Sequence, residues 1–453
     1  MKDLTQDSIV RHILVMAAPI VAGMIFQTLY LLVDLYFVAA LGDTAIAGVS
    51  AAGNATFVIF ALTQVLGVGT VALISHAAGR KDRADANLVF NQSMTLSALC
   101  GVSVLVAGYP LTNMYMLSVA ADAPTVATGA TYLYWFMPGL ALQFALVTMG
   151  SALRGTGIVQ PTMVVQVLTV VINIILAPIL IAGWGTGRPL GVAGAGLASS
   201  LAISVGVVLL WLYFHRLEHY VALDRTQLMP KLAQWKRILH IGLPAGGEMA
   251  LMFVYIAVIY WVIRNFGAVA QAGFGVGSRV MQAIFLPAMA IAFAAGPIAG
   301  QNFGAGQSDR VRQTFRAAVI LSTVVMLTIT ILVQVSPALL VGAFTKEAEV
   351  VEVGAGFLKL ISLNFVAQGI IFTCSSLFQG LGNTRPSLLS SGTRLVTFAV
   401  PAIWLSFQQG FRIEQVWYLS VATMALQAVV SWWLLQVEFR RRLAPVKVEV
   451  VGV

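Results

Sequence analysis

Charge is what this chain has least of. Of its 453 residues only 9% are charged, where a soluble globular protein carries about a quarter, so it has too little polar surface to be a soluble enzyme. Cysteine is almost missing as well. Cys100 and Cys374 are the only two, and both lie in apolar stretches, which excludes a disulfide framework and a thiol metal site. No G-x-x-x-x-G-K-[ST] segment occurs, so there is no P-loop to hydrolyse ATP. Work done by this protein must then draw on an ion gradient. Short alternating segments, the mark of a transmembrane β-barrel, are absent too.

What is present is apolar length. Hydrophobic residues make up 59% of the chain and mean hydropathy is +0.90. At roughly 20 residues per spanning helix that is enough for about a dozen spans. The expected fold is therefore all-α and integral to the membrane, with twelve transmembrane helices. Apolar runs fall near 13–41, 46–76, 91–112, 126–152, 158–183 and 191–214, and again near 235–265, 271–303, 313–340, 353–379, 386–408 and 415–437. The first run, from Ile13 to about Leu41, is too long for the apolar core of a cleaved signal and reads as a span. Between the two sets lies a polar connector, 215–234. The domains read as a six-helix lobe over 1–214, this cytoplasmic linker, and a second six-helix lobe over 235–453.

The net charge of +9 is a topology signal. With both termini cytoplasmic, 19 of the 26 basic residues fall on the inner side, among them Arg80, Lys81, Arg83, Arg310, Arg312, Arg440 and Lys447. Four fall outside (Arg188, Arg264, Lys346 and Arg412), and Arg279, Lys359 and Arg394 lie within or beside spans. This is the positive-inside pattern, and no nucleic-acid partner is implied. A bacterial-type inner membrane is the expected location.

Shifting the sequence by 225 residues aligns the halves without a gap. Pro19 meets Pro244, Tyr30 meets Tyr255, Gly42 meets Gly267, Gly79 meets Gly304, Gln143 meets Gln368 and Pro161 meets Pro386. Arg154-Gly-Thr-Gly meets Gln379-Gly-Leu-Gly in the same register. Each half has an even number of spans, so this is a parallel repeat related by an axis along the membrane normal. Two such lobes with a cleft between them suit alternating access.

The stretch from Gln27 through Asp34 to Gly42, with Pro19 fifteen positions before the acid, resembles the first span of multidrug and toxic compound extrusion (MATE) transporters, nearest the bacterial NorM-like and DinF-like members. Gly300-Gln-Asn-Phe-Gly-Ala-Gly306 and the Arg154-Gly-Thr-Gly turn carry the same resemblance. It implies a V-shaped twelve-helix exporter that exchanges organic, often cationic, drug-like compounds for protons or sodium. The chain is expected to act as a monomer, with no cofactor and no resident metal.

Asp34 is the most informative residue. A carboxylate inside the hydrocarbon is costly, and such residues face cavities and mark ion paths. It lies eight residues before Gly42, about 12 Å along the helix. Gln27, Tyr30 and Asp34 share one helical face at i, i+3 and i+7. By resemblance, the family's cation site adds an Asn and an Asp four residues apart on the fifth span and a hydroxyl from the sixth. Here the Asn is Asn173, Ala177 stands where the second acid would be, and the hydroxyl is matched by Ser199. Asp34 is then the only acid of the group, which favours a proton over sodium.

Glu248, four residues after Pro244, is a possible second acid, either coupling or paired with a buried base such as Arg394. Its repeat counterpart is Gly23, whereas Asp34 faces Ile259 in that register. Pro19 permits a kink and is, by resemblance, a hinge. His215-Arg-Leu-Glu218-His219 fits the H-x-x-E-H pattern of some metalloproteases, although a solvated helix end explains it as well. Export in exchange for protons is the leading reading. A lipid-linked oligosaccharide flippase, which would favour a cationic cavity supplied by Arg279, Arg394 and Arg264, is the nearest rival. A membrane metalloprotease or a channel is further off.

Overall fold

The computed structural model describes residues 1–443 apart from Ala121 and His219, and of Leu31 only the backbone. His219 of the H-x-x-E-H stretch and Lys447 of the inner basic set lie outside the described residues. Helices α1 (Ile9–Ala39), α2 (Asp43–Gly79), α3 (Arg83–Val119), α4 (Ala123–Gly155), α5 (Gln160–Ile181) and α6 (Val192–Arg216) make the first half. The second half has α7 (Leu232–Ile263), α8 (Gly267–Gly304), α9 (Ser308–Val335), the short α10 (Pro337–Gly342), α11 (Ala348–Ile361), α12 (Phe365–Gly380), α13 (Arg385–Ser406) and α14 (Ile413–Arg442). Among the described residues, eleven helical stretches are long and apolar enough to cross a bilayer, one of them the 73-residue run Leu232–Gly304. That run contains both α7 and α8, joined through a 3-10 turn at Arg264–Phe266, so it supplies two of twelve spans. All-helical spanning structure follows from the solvent, because lipid offers no partner to an unpaired backbone group.

Local chemistry sets the ends. Asp82 and Asp122 cap α3 and α4 by accepting from the backbone N–H of Asp85 and Thr125, at 3.0 and 2.8 Å. Pro161 and Pro386, which the repeat pairs, sit in the first turns of α5 and α13, where the missing N–H has no helical partner to lose. The tenth span, expected as one run over 353–379, is instead α11 and α12 broken by a 3-10 turn at Ser362–Asn364. Polar side chains of α9 take up the groups this break frees. Gln334 donates to the Lys359 carbonyl at 2.7 Å and to Ser362 Oγ at 2.8 Å, and Thr330 donates to the Ser362 carbonyl at 3.2 Å.

The chain forms two compact units, Met1–Gln6 with Leu14–Gly246 and Asp7–Ile13 with Gly247–Val453. The boundary between them falls inside α7. Its first turns belong to the first unit because glycine lets them lie against α2. A Cβ at Gly242 would stand 1.9 Å from the Val65 carbonyl oxygen, so only glycine allows that approach. The core of the first unit includes the stacked rings of Phe90 and Phe214, 4.6 Å apart. That of the second is built around Trp417, 4.8 Å from Phe357 and 5.6 Å from Phe274 between ring centroids. Each such ring removes enough apolar surface from the lipid or solvent to contribute to packing mainly through close contact.

The connector is no free linker. From Tyr220 to Lys231 its backbone is bonded to the side chains of one α3 face. Asn87 accepts from Ala222 N at 2.8 Å, and Asn91 donates to the Ala222 carbonyl at 3.0 Å while accepting from Asp224 N at 2.9 Å. Gln92 donates to the carbonyls of Gln227 and Met229 and accepts from Lys231 N. Thr95 and Arg83 donate to the carbonyls of Leu228 and Tyr220.

Candidate functional site

Helix α1 carries Tyr30 and Asp34 into the first unit, one turn apart on the same face. Asp34 keeps 7% of its surface exposed, and Asn173 of α5 and Ser199 of α6 keep none. Asn173 Nδ2 lies 3.5 Å from Ser199 Oγ, to which it donates. Tyr30 stands beside Asp34, Asn173 and Ser199. A fifth residue joins the group: Tyr132 of α4, which is buried and interacts with Asp34, Tyr30 and Ser199. Four helices thus converge on one carboxyl. Gln27, the remaining member of the α1 stripe, is exposed one turn earlier and is not drawn into the cluster.

Glycine makes this convergence possible. A Cβ at Gly196 of α6 would fall 2.5 Å from the Tyr132 carbonyl oxygen, so α6 touches the α4 backbone at the level of the site. Ser200 then fixes the register, donating to the Trp135 carbonyl at 2.7 Å and accepting from Gly139 N at 3.1 Å. On α5, Ala177 is fully buried and brings no side-chain oxygen to the group. The chemistry left open is specific. Asp34 Oδ1, Tyr30 Oη and Asn173 Oδ1 are each buried without a hydrogen-bond partner. An unsatisfied buried polar atom costs about 1–3 kcal/mol, and here one oxygen of the carboxyl and two oxygens near it are left in that state.

The MatE family profile matches residues 19–179 and 244–405, more than half of the chain. This protein belongs to the MatE family. Its two matched segments begin at Pro19 and Pro244, the offset at which the halves of the sequence align. The chain is 27% identical over 388 residues to the probable multidrug resistance protein YpnP of Bacillus subtilis, covering 84% of this chain and 86% of that one. It is 25% identical over 411 residues to the FAD transporter of Shewanella oneidensis, covering 88% and 89%. Its fold is similar, with a TM-score of 0.90 at 24% identity over 97% of this chain and 98% of the other, to the outward-facing conformation of a multidrug resistance MATE family transporter. A MatE protein is a multi-pass membrane transporter and not an enzyme.

Within this MatE chain the repeat shows how differently the two copies are furnished. At the offset of 225, Asp34, Tyr132, Asn173 and Ser199 correspond to Ile259, Phe357, Phe398 and Met424. All four counterparts are buried and apolar. Tyr255, the counterpart of Tyr30, packs its ring on Phe398 at 4.7 Å. The polar cluster of the first unit is hydrophobic core in the second.

The second unit has a different polar group in a different place. Glu248 Oε2 accepts from Ser387 Oγ at 2.7 Å and from Ser375 Oγ at 3.0 Å, and the two serines are bonded to each other at 2.9 Å. Its engagement is with hydroxyls of α12 and α13 rather than with Arg394. In the first unit the equivalent position is Gly23, where a Cβ would stand 2.8 Å from Gln166 Oε1. A neutral amide there fills the space that the Glu248 side chain fills in the other copy.

Pro19 lies inside α1, four turns before Asp34 by count. In the H-x-x-E-H stretch, the His215 ring stacks on Trp211 at 5.6 Å and Glu218 Oε1 accepts from Tyr220 N at 2.8 Å. Among the described residues no three His, Cys, Asp or Glu side chains gather as a metal site. Tyr132 is the site residue that sequence reasoning missed. Its signal was faint but real: the repeat register sets it against Phe357, so a hydroxyl is what the first copy has in excess.

Proposed function

We propose that this MatE protein is a secondary active exporter of amphiphilic organic compounds, cations among them, driven by protons that load on Asp34. The observation that carries this reading is the single carboxyl at the meeting of α1, α4, α5 and α6, with buried, unpartnered oxygens beside it. Sodium is a hard cation that prefers several oxygen ligands with enough negative charge to offset its dehydration, by the logic that governs other hard cations. Asp34, Asn173, Ser199 and Tyr30 offer one charge, and Ala177 adds no ligand. A proton needs Asp34 alone.

In the cycle, a proton enters from outside, neutralises Asp34 and removes the charge that the apolar surroundings of α1 disfavour. Inward release then restores the charged form. Pro19, which breaks the backbone hydrogen-bond ladder of α1, gives that helix the freedom to bend as Asp34 changes state. Alternating access couples the two ion steps to outward movement of the compound. The multidrug resistance name of the Bacillus relative supports removal of drug-like compounds, and the basic inner segments support a plasma-membrane protein with both termini cytoplasmic.

The test is transport of an organic cation such as ethidium in proteoliposomes, with proton and sodium gradients imposed separately. An inward proton gradient in sodium-free buffer should drive export, sodium should add little, and Asp34→Asn should abolish the driven component while leaving the protein monodisperse. Strict sodium dependence with no response to the proton gradient would refute proton coupling.

A further inference from the structure

The second unit holds a cation for which the proton-driven cycle has no use. Arg394 lies nine residues into α13, about 14 Å from its first residue at 1.5 Å per residue, which is close to mid-span. A guanidinium at such depth is rare and demands a partner. Its Cζ sits 4.1 Å from the centroid of the Tyr255 ring, and its Nε is buried with no hydrogen-bond partner. Among the described residues, no carboxylate lies within ion-pair distance of it. Glu248, the acid on the same seam of α7 and α13, is two turns from Tyr255 and is taken up by Ser375 and Ser387.

The platform under the guanidinium is braced. Tyr255 Oη is hydrogen bonded to Ser420 at 2.8 Å, and Phe398 supports the ring. The repeat counterpart of Arg394 is Thr169, whose hydroxyl donates to the Gln166 carbonyl at 2.7 Å, so the charge is particular to this copy. A guanidinium fixed on an aromatic face, with an unclaimed N–H in a low-dielectric setting, is suited to an oxyanion, which it can meet with two parallel hydrogen bonds. An organic cation would be repelled there.

Building on the transport function proposed above, we infer that Arg394 on its Tyr255 platform binds the phosphate or carboxylate of an aromatic compound that the protein carries. The exporter then handles amphiphiles bearing an anion as well as organic cations.

Riboflavin and riboflavin 5′-phosphate share the ring and differ in one phosphate, so the ratio of their affinities reads that contact. Binding is measured by flavin fluorescence anisotropy on the full chain in nanodiscs. The wild type is expected to bind the phosphate form about tenfold tighter or more, the factor made by about 1.4 kcal/mol. Arg394→Met should bring the ratio near one. Arg394→Lys, which keeps a charge without the planar fork, should give an intermediate ratio, and Tyr255→Leu should lower it by removing the platform. A variant that is merely less well folded weakens both flavins alike and leaves the ratio unchanged.

A wild-type ratio near one, no binding of the phosphate form at millimolar concentration, or an unchanged ratio in Arg394→Met would each overturn the inference. Lipid phosphate offers the same chemistry, so dioctanoyl phosphatidic acid and dioctanoylglycerol form a second pair. A ratio sensitive to Arg394 for the lipids alone would assign the site to lipid and overturn the cargo assignment. Transport is scored separately: discrimination between the flavins without driven movement of any probe would sink the exporter reading and leave the anion site standing.

Discussion

Gly196→Ala tests whether the α4–α6 contact holds the Asp34 cluster together. The new Cβ would lie 2.5 Å from the Tyr132 carbonyl oxygen, 3.0 Å from Phe136 N and 3.1 Å from Trp135 Cβ. Comfortable non-bonded separations begin at about 3.5 Å, and two of the three obstacles are backbone atoms that cannot rotate aside. Helix α6 must therefore move off α4 by about 0.5–1 Å. That movement stretches both bonds of Ser200, now 2.7 and 3.1 Å, and carries Ser199 away from its neighbours. Overpacking costs about 1–3 kcal/mol, and weakening two buried hydrogen bonds adds about 1 kcal/mol. For a unit of this size the thermal midpoint should fall by about 5–15 °C, with driven export reduced further because the site itself is displaced. Gly53 supplies the control. It lies inside α2 with no atom within 4 Å of its would-be Cβ, so Gly53→Ala should be neutral or stabilise by about 0.5–1 kcal/mol through helix propensity. Scanning fluorimetry in nanodiscs of fixed lipid content reads both. Equal midpoints for the two variants, or an unaltered Gly196→Ala protein, would show that close backbone approach is not what builds the site.

Tyr132→Phe removes only the hydroxyl that faces the Asp34 group and should slow proton-driven export by about tenfold, the factor made by about 1.4 kcal/mol; proteoliposome flux with an unchanged rate would remove Tyr132 from the site. Ala177→Asp places a second carboxyl in the fully buried position on α5 and should make transport respond to added sodium, so flux in sodium and sodium-free buffers is the comparison to make. Gln92→Leu removes three bonds to the connector; at about 1 kcal/mol each the segment should open roughly 100-fold more often, seen as faster limited proteolysis between Tyr220 and Lys231.

What the sequence discloses depends on contrast. Asp34 is visible because an acid stands out in an apolar run, and the repeat is visible because one offset holds from Pro19 to Pro386. The break at Ser362–Asn364 is hidden because hydropathy runs on across it; it exists because Gln334 and Thr330, distant in sequence, satisfy the groups it frees. The connector misleads for a related reason. Polar composition reads as a solvated linker, yet its hydrogen bonds go from backbone to the Asn87, Asn91, Gln92 and Thr95 side chains, a pairing with no periodic signature. Tyr132 was obscured by its setting, since a tyrosine in an aromatic-rich span is ordinarily packing. Glu248 was legible as a second acid within a span, but its serine partners on α12 and α13 could be found only in three dimensions.

The exchange of Asp34, Tyr132, Asn173 and Ser199 for Ile259, Phe357, Phe398 and Met424 between the copies also fixes an energetic ratio. A cluster built in one copy, around one carboxyl, admits one proton per turnover on the coupling proposed above. When the cargo is a monovalent cation, one positive charge enters for each that leaves, so the membrane potential does no net work and only the pH difference drives export, with about a tenfold limiting concentration ratio per pH unit. When the cargo is neutral, the potential contributes as well, about 2.3 kcal/mol per 100 mV, or a further factor of about 50. A duplicated fold that carries the Asp34 cluster in one copy alone therefore concentrates its cargoes to different limits according to their charge.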